Sequence, residues 1–249
     1  MGVAASCLLV CGAYFGGGTE HNKEKQYKGR EVVMSQKESI KRYILCFFSL
    51  LVLGFSVAFT KVANLGVSPI SSIANVMSIG VPQLSIGNWL IIENCLMIVI
   101  QIVLLRKEFK PFQFLQIVVS LLFGYFTDFG VWVISFLPPE SYVMRLVYDG
   151  IGVVGLGIGI SLSVTANVIM NPPESAVQAI AKVMGKEFGD IKTFFDLSCV
   201  AAAVVLSLIF SGKIAGIREG TLLCACLVGL AVKLSNRLFK DKVTTFLKR

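Results

Sequence analysis

Ala63-Asn64-Leu65-Gly66-Val67-Ser68-Pro69 and, 103 residues further on, Ala166-Asn167-Val168-Ile169-Met170-Asn171-Pro172 are the stretches on which the reading of this chain turns. Each closes a long apolar run with Ala-Asn and sets a proline five residues after the asparagine. At the same shift Leu53-Gly54 meets Leu156-Gly157 and Ser72 meets Ser175; at a shift of 102 Gly87 meets Gly189 and Asn94 meets Asp196, and at 105 Gly124 meets Gly229. Apolar residues match one another cheaply, so the Ala-Asn, Pro and Ser coincidences carry the weight. They divide the chain into two copies of one unit.

The apolar runs say what a unit holds. Of 249 residues 55% are hydrophobic and only 15% charged, against roughly a quarter charged in soluble domains. Candidate spans fall at 43–63, 88–105, 112–137, 147–166, 191–210 and 220–238, each near the ~20 residues that cross a bilayer core. The expected fold is all-α and polytopic, with three spans per unit. An odd number forces the second unit to run through the membrane upside down, the plan of many secondary transporters. The chain then divides into a basic tail (1–42), a first membrane repeat (43–137), a connection (138–146), a second repeat (147–238) and a basic C-terminal tail (239–249).

The net charge of +8 lies mostly outside the spans. Lys23, Lys25, Lys28, Arg30, Lys37, Lys41 and Arg42 precede the first, and Lys240, Lys242, Lys248 and Arg249 follow the last. Charge so placed fixes topology and rests on anionic lipid, which removes the need for a nucleic-acid partner. Among the connections, the second holds Arg106, Lys107 and Lys110 and the fourth Lys182 and Lys186; the first holds none. Both termini are therefore expected in the cytoplasm of a cell whose plasma membrane the chain crosses. Lys213 and Arg218 in the fifth connection run against that rule. Beyond the lipid bilayer, a second copy or a partner membrane subunit is an admissible partner.

The N-terminus reads several ways. Met1–Tyr14 lacks the basic start of a signal peptide, Met1-Gly2 with Ser6 fits a myristoylation pattern, and Met34 offers a later start. Cys7, Cys11, Cys46, Cys95, Cys199, Cys224 and Cys226 form no CxxC pair and read as small hydrophobes. Gly150, Gly152 and Gly155 spell GxGxxG, but within an apolar run they read as helix-packing positions rather than a dinucleotide loop. No cofactor motif, metal-ligand cluster or nucleophile–base pair appears, and an enzyme is not expected.

Each Ala-Asn is followed by a helix start. Ser68 caps and Pro69 opens a helix over 69–79 that Gly80 stops; Asn171 caps and Pro172 opens one over 172–184, with Glu174 as capping-box residue and Gly185 as stop. Such half-bilayer helices can dip into the membrane and aim positive N-terminal ends at a small anionic or polar solute. Helices lying flat at the interface share the same length and polarity, and both readings stand. Inside the spans, Asp128 and Asp196 are the chief site candidates, because a carboxylate at membrane depth needs a partner or a wet cavity. Lys192 lies four residues before Asp196 on the same face, so an ion pair competes with a solute contact. Glu93 and Asn94 hold the related place in the second span, while Lys61 and Lys233 read as snorkelling side chains. The candidate site is thus Asn64, Ser68, Pro69, Asn94, Asp128, Asn167, Asn171, Pro172, Glu174 and Asp196.

The segment 63–69, with Asp128 and Gly220-Thr221, resembles the YitT/YczE-type bacterial membrane protein family, whose A-x-L-G-x-S/G-P-W-D segment it follows. The resemblance spans about 43–238. Ile70 and Ser71 stand where the family has Trp and Asp, and the acid appears only in the second copy, as Glu174. The resemblance implies a polytopic membrane fold and leaves activity open. The expected function is a small-molecule or ion permease with its site at the repeat interface. A substrate-capture subunit of an importer, a scaffold and a channel are the alternatives. Aquaporin-type channels place their half-helices after the second span of each unit, not the first.

Overall fold

The computed structural model describes residues 36–109, 111–186 and 188–248. The expectations on the tail before residue 36 and on the Lys233 side chain lie outside the described residues. Among those residues the elements are helical: α1 (Gln36–Ala63), α2 (Ser72–Gly80), α3 (Ile86–Leu105), α4 (Leu115–Ile134), α5 (Tyr142–Ala166), α6 (Pro172–Met184), α7 (Phe188–Ser211) and α8 (Glu219–Lys248). Six of them, α1, α3, α4, α5, α7 and α8, contain segments long and apolar enough to cross a membrane. Ile92, Leu96, Val99 and Val103 form an exposed stripe along α3, and Phe194, Leu197 and Ile209 face outward on α7. Apolar faces of this extent belong in lipid.

The Ala-Asn pairs are helix stops. Asn64 and Asn167 both take left-handed backbone, at φ 56° and 49°, a conformation that Asn tolerates better than most residues and that ends a helix. α6 then starts at Pro172, with Asn171 at the cap position but making no side-chain cap bond, and Gly185 closes it in left-handed backbone. α2 departs from expectation. It begins at Ser72 rather than Pro69, because Ser68, Ser71 and Ser72 bond locally: Ser68 Oγ donates to Ser71 Oγ (3.0 Å) and Ser72 N–H meets the Pro69 carbonyl (3.4 Å). Serines that bond nearby groups hold a turn where a helix could have started. The short helices are about 14 Å and 20 Å long at ~1.5 Å per residue.

Other ends shift for local reasons. α1 starts well before residue 43, where Glu38 and Arg42 pair at 2.8 Å and Arg42 Nη1 donates to the Ala166 carbonyl (3.0 Å), placing a cation on the C-terminal end of α5. α5 starts at Tyr142, not 147, because Ser141 accepts the Met144 N–H (3.2 Å). Two 3-10 turns, Arg106–Glu108 and Pro111–Phe114, precede α4, and α8 runs past 238 to Lys248. Lys41 Nζ meets the Phe246 carbonyl (3.4 Å) and lies 5.2 Å from its ring, so the first and last described helical turns share one side of the molecule.

Packing centres on α1 against α5. α4 lies on α1 and α3, while α8 lies on α5; α2 sits between α3 and α7, and α6 between the same two helices. α7 and α8, by contrast, scarcely touch among the described residues. Glycines permit the close crossings. A Cβ on Gly152 would come 2.9 Å from the Ser56 carbonyl of α1, and one on Gly157 would come 2.8 Å from the Ala231 backbone of α8. Of the GxGxxG glycines, Gly152 and Gly155 pack against α1, whereas Gly150, expected to do the same, faces open space because no neighbouring helix lies within 4 Å of it. Leu50, Leu53, Val57, Leu90, Val119 and Leu156 form the core.

Leu65-Gly66 and Gly220-Thr221, both part of the family resemblance, meet. Gly220 N–H donates to the Leu65 carbonyl (2.8 Å), and Gly66, at φ 115°, lies so close to Thr221 that a Cβ would stand 2.9 Å from its nitrogen. The segment therefore needs glycine twice over: for the backbone angle and for the approach.

Candidate functional site

Where the two short helices begin, their ends line one cavity of about 370 Å³. Its apolar floor is Leu53 and Val57 of α1 with Leu156 and Ile160 of α5. Ser68, Pro69 and Ser71 come from the approach to α2, and Asn171, Pro172 and Glu174 from the start of α6. α3 contributes Glu93 and Asn94, and α7 contributes Lys192 and Asp196. Seven sequence candidates are brought together here: Ser68, Pro69, Asn94, Asn171, Pro172, Glu174 and Asp196.

The other three lie elsewhere. Asn64 and Asn167 end α1 and α5, as their backbone angles show. Asp128 reaches the start of α3, where it accepts the Gly87 N–H (2.8 Å) and the Ser85 hydroxyl; Ser85 in turn accepts the Asn88 N–H (3.1 Å). A carboxylate on exposed helix amides is a good electrostatic fit. The partner that a membrane-depth acid requires is thus a helix terminus.

Glu93 is the feature that the repeat alignment passes over, since it pairs Asn94 with Asp196. The Glu93 residue is only 6% exposed, and neither carboxylate oxygen has a hydrogen-bond partner. It faces the Ala74 amide in the first turn of α2 without closing a bond to it. One oxygen of Glu174 is likewise buried and unpartnered. Asp196 is held by Lys192, one turn away on α7. Three carboxylates therefore meet a single ammonium among the described cavity residues.

Two buried glutamines set α6 in place. Gln101 Nε2 donates to Gln116 Oε1 and to the Pro172 carbonyl, both at 3.1 Å, and Gln116 Nε2 donates to Ser175 Oγ at 3.1 Å. Spacing marks Glu93 and Gln101: with Met97 between them they repeat every four residues, opposite the exposed apolar stripe of α3. Lys61, near the end of α1, bonds to the other short helix instead of snorkelling. It donates to Asn75 Oδ1 (2.6 Å) and Ser78 Oγ (2.8 Å), while Asn75 Nδ2 donates to the Gly216 carbonyl (2.7 Å). Asp149, unremarked in the sequence because it lies so early in the fourth span, is 1% exposed and lines an outer groove between α5 and α8, away from the cavity.

Residues 40–237 match a family of unknown function, DUF6198. The chain belongs to this family. Two relatives come from Bacillus subtilis (strain 168). An "Uncharacterized protein YyaS" is 26% identical over 191 residues, covering 76% of this chain and 89% of the relative. An "Uncharacterized membrane protein YczE" is 27% identical over 205 residues, covering 80% and 87%. No solved structure matches. With six spans in the structure and a membrane protein among its relatives, this DUF6198 chain is a multi-pass integral membrane protein. The YczE-type resemblance seen in 63–69 agrees with that membership.

Proposed function

We propose that this DUF6198 chain is a small-solute permease of the plasma membrane whose site is the cavity between two inverted three-helix units. The observation that carries this reading is the convergence of both Pro-preceded short helices on one cavity holding buried, unpartnered carboxylate oxygens. Polar groups buried among membrane helices are costly and mark solute or ion paths. The helix pairings support the inversion: α1 meets α5, and each short helix lies on the second span of its own unit and on that of the other. Such an exchange is what a two-fold axis in the membrane plane produces. Positive charge in the second and fourth connections supports cytoplasmic ends.

The solute expectation shifts. The N-terminal ends of α2 and α6 alone suit an anion, but the acidic lining outweighs them. Reconstitution into liposomes tests the reading with panels of cationic, neutral and anionic solutes. Saturable uptake above protein-free liposomes is expected, abolished by filling the cavity with Leu53→Trp and retained per folded molecule in Asp128→Asn. Uptake unchanged in Leu53→Trp, or no uptake of any solute, would remove the permease reading.

A further inference from the structure

We infer that the cavity takes a small organic monocation with an apolar body, whose charged head is held by the Glu93 carboxylate in competition with protons. The inference rests on the permease reading for its biological use, and on the cavity alone for its chemistry.

Glu93 is more than nine-tenths buried, lines the cavity and has no partner on either oxygen. A buried carboxylate left open in a folded protein costs several kcal/mol unless something completes it. What faces it does not. α6 brings Glu174, another carboxylate with an open oxygen. α7 brings the Cys199 thiol and the Lys192–Asp196 pair, whose ammonium is already bonded. α4 brings Val119 and Phe123, and α2 brings only the Ala74 amide. The missing partner is positive.

The rest of the wall decides what sort of cation. Leu53, Val57, Leu90, Leu156 and Ile160 give the cavity an apolar surface, and Phe123 adds an aromatic side chain, a residue type that attracts alkylammonium heads. A bare metal ion needs several converging oxygen ligands, and among the described residues no group of three acidic, Cys or His side chains could hold one. A cation that carries its own apolar groups meets both halves of the lining. Because a carboxylate oxygen cannot hold a proton and a cation head at once, acidification must weaken binding.

The test uses the purified full chain in nanodiscs and isothermal titration with benzyltrimethylammonium, tetraethylammonium, benzyl alcohol and phenylacetate. Both ammonium ions are expected to bind, and phenylacetate not to. Affinity should fall as pH is lowered. Glu93→Gln should weaken ammonium binding about tenfold or more, as loss of a buried charge partner does, and flatten the pH dependence. Glu174→Gln should weaken it less. Equal binding of phenylacetate, failure of both ammonium ions to bind, or an unaltered pH profile in a Glu93→Gln protein that unfolds at the wild-type temperature would each overturn the inference. The comparison of ligands on the wild-type chain needs no variant. Ammonium binding with no uptake of any solute into liposomes would sink the permease reading and leave this one standing. Uptake of neutral or anionic solutes that ignores Glu93→Gln would do the reverse.

Discussion

Replacing Asp128 with Ala should damage the fold rather than the site. The side chain joins α4 to the start of α3 by accepting the Gly87 N–H at 2.8 Å and the Ser85 hydroxyl. A hydrogen bond to a charged group contributes about 1.5–3 kcal/mol, and the negative charge on the helix N-terminus adds about 0.3–1 kcal/mol. Asn88 and the preceding Pro82 and Gln83 are exposed, so water can reach this end of α3 and replace part of what is lost. We therefore expect Asp128→Ala to cost about 2–4 kcal/mol, and Asp128→Asn about half of that, since it retains one acceptor but no charge. The assay is reversible unfolding in mixed micelles with increasing dodecyl sulfate, followed by tryptophan fluorescence and repeated with Ser85→Ala and the double variant. Ser85 and Asp128 share a hydrogen-bond chain, so their costs should fall short of additive. A loss below about 0.5 kcal/mol in Asp128→Ala, the range of an ordinary surface change, would refute the helix-terminus role.

Further predictions follow from other contacts. Lys192→Met should destabilise by about 1–3 kcal/mol, the cost of leaving the half-buried Asp196 carboxylate without its bonded ammonium, and adding Asp196→Asn should recover much of it in the same unfolding assay. Gly66→Ala should sharply lower the yield of folded protein, since the backbone angle and the Thr221 contact both oppose a Cβ; size-exclusion profiles of detergent extracts would show it. Gln101→Leu should cost about 1–3 kcal/mol by leaving the Pro172 carbonyl and Gln116 without their donor. Reporter fusions in the Pro69 and Pro172 connections should report opposite sides of the membrane. Agreement between them would end the inverted-repeat reading.

Hydropathy made the six spans legible and ended two of them at Ala63 and Ala166. That Asn64 and Asn167 stop those helices in left-handed backbone was not legible in the sequence, which offered both as site residues. The start of α2 was hidden because three serines and a proline can hold either a turn or a first helical turn, and their mutual hydrogen bonds decide it. Asp128 misled for a different reason. Hydropathy places a residue along the chain but not in depth, so an acid late in an apolar run gave no hint that the amides of another helix lay beside it. The seven candidates in the cavity came from repeat symmetry, from capping signals at Ser68, Asn171 and Glu174, and from the acid Asp196 inside a span; symmetry matches positions but not chemistry. The two copies differ there: Ser71 of the first stands against Glu174 of the second, and Asn94 against Asp196. Glu93 shares the related place with Asn94, but the alignment pairs only Asn94 with Asp196.

If the chain is a permease, the slight contact between α7 and α8 would set how a solute arrives. Asp196 of α7 and Val228 of α8 both line the cavity, yet their helices are not zipped together along the bilayer among the described residues. In a bilayer, acyl chains would then border that wall of the chamber. A hydrophobic ammonium would gather first among the lipids and slip in sideways, so its partition coefficient would govern occupancy more than its dissolved concentration. Lengthening its alkyl groups should raise apparent affinity until the chamber is full, and bilayer composition should shift that affinity with no residue changed.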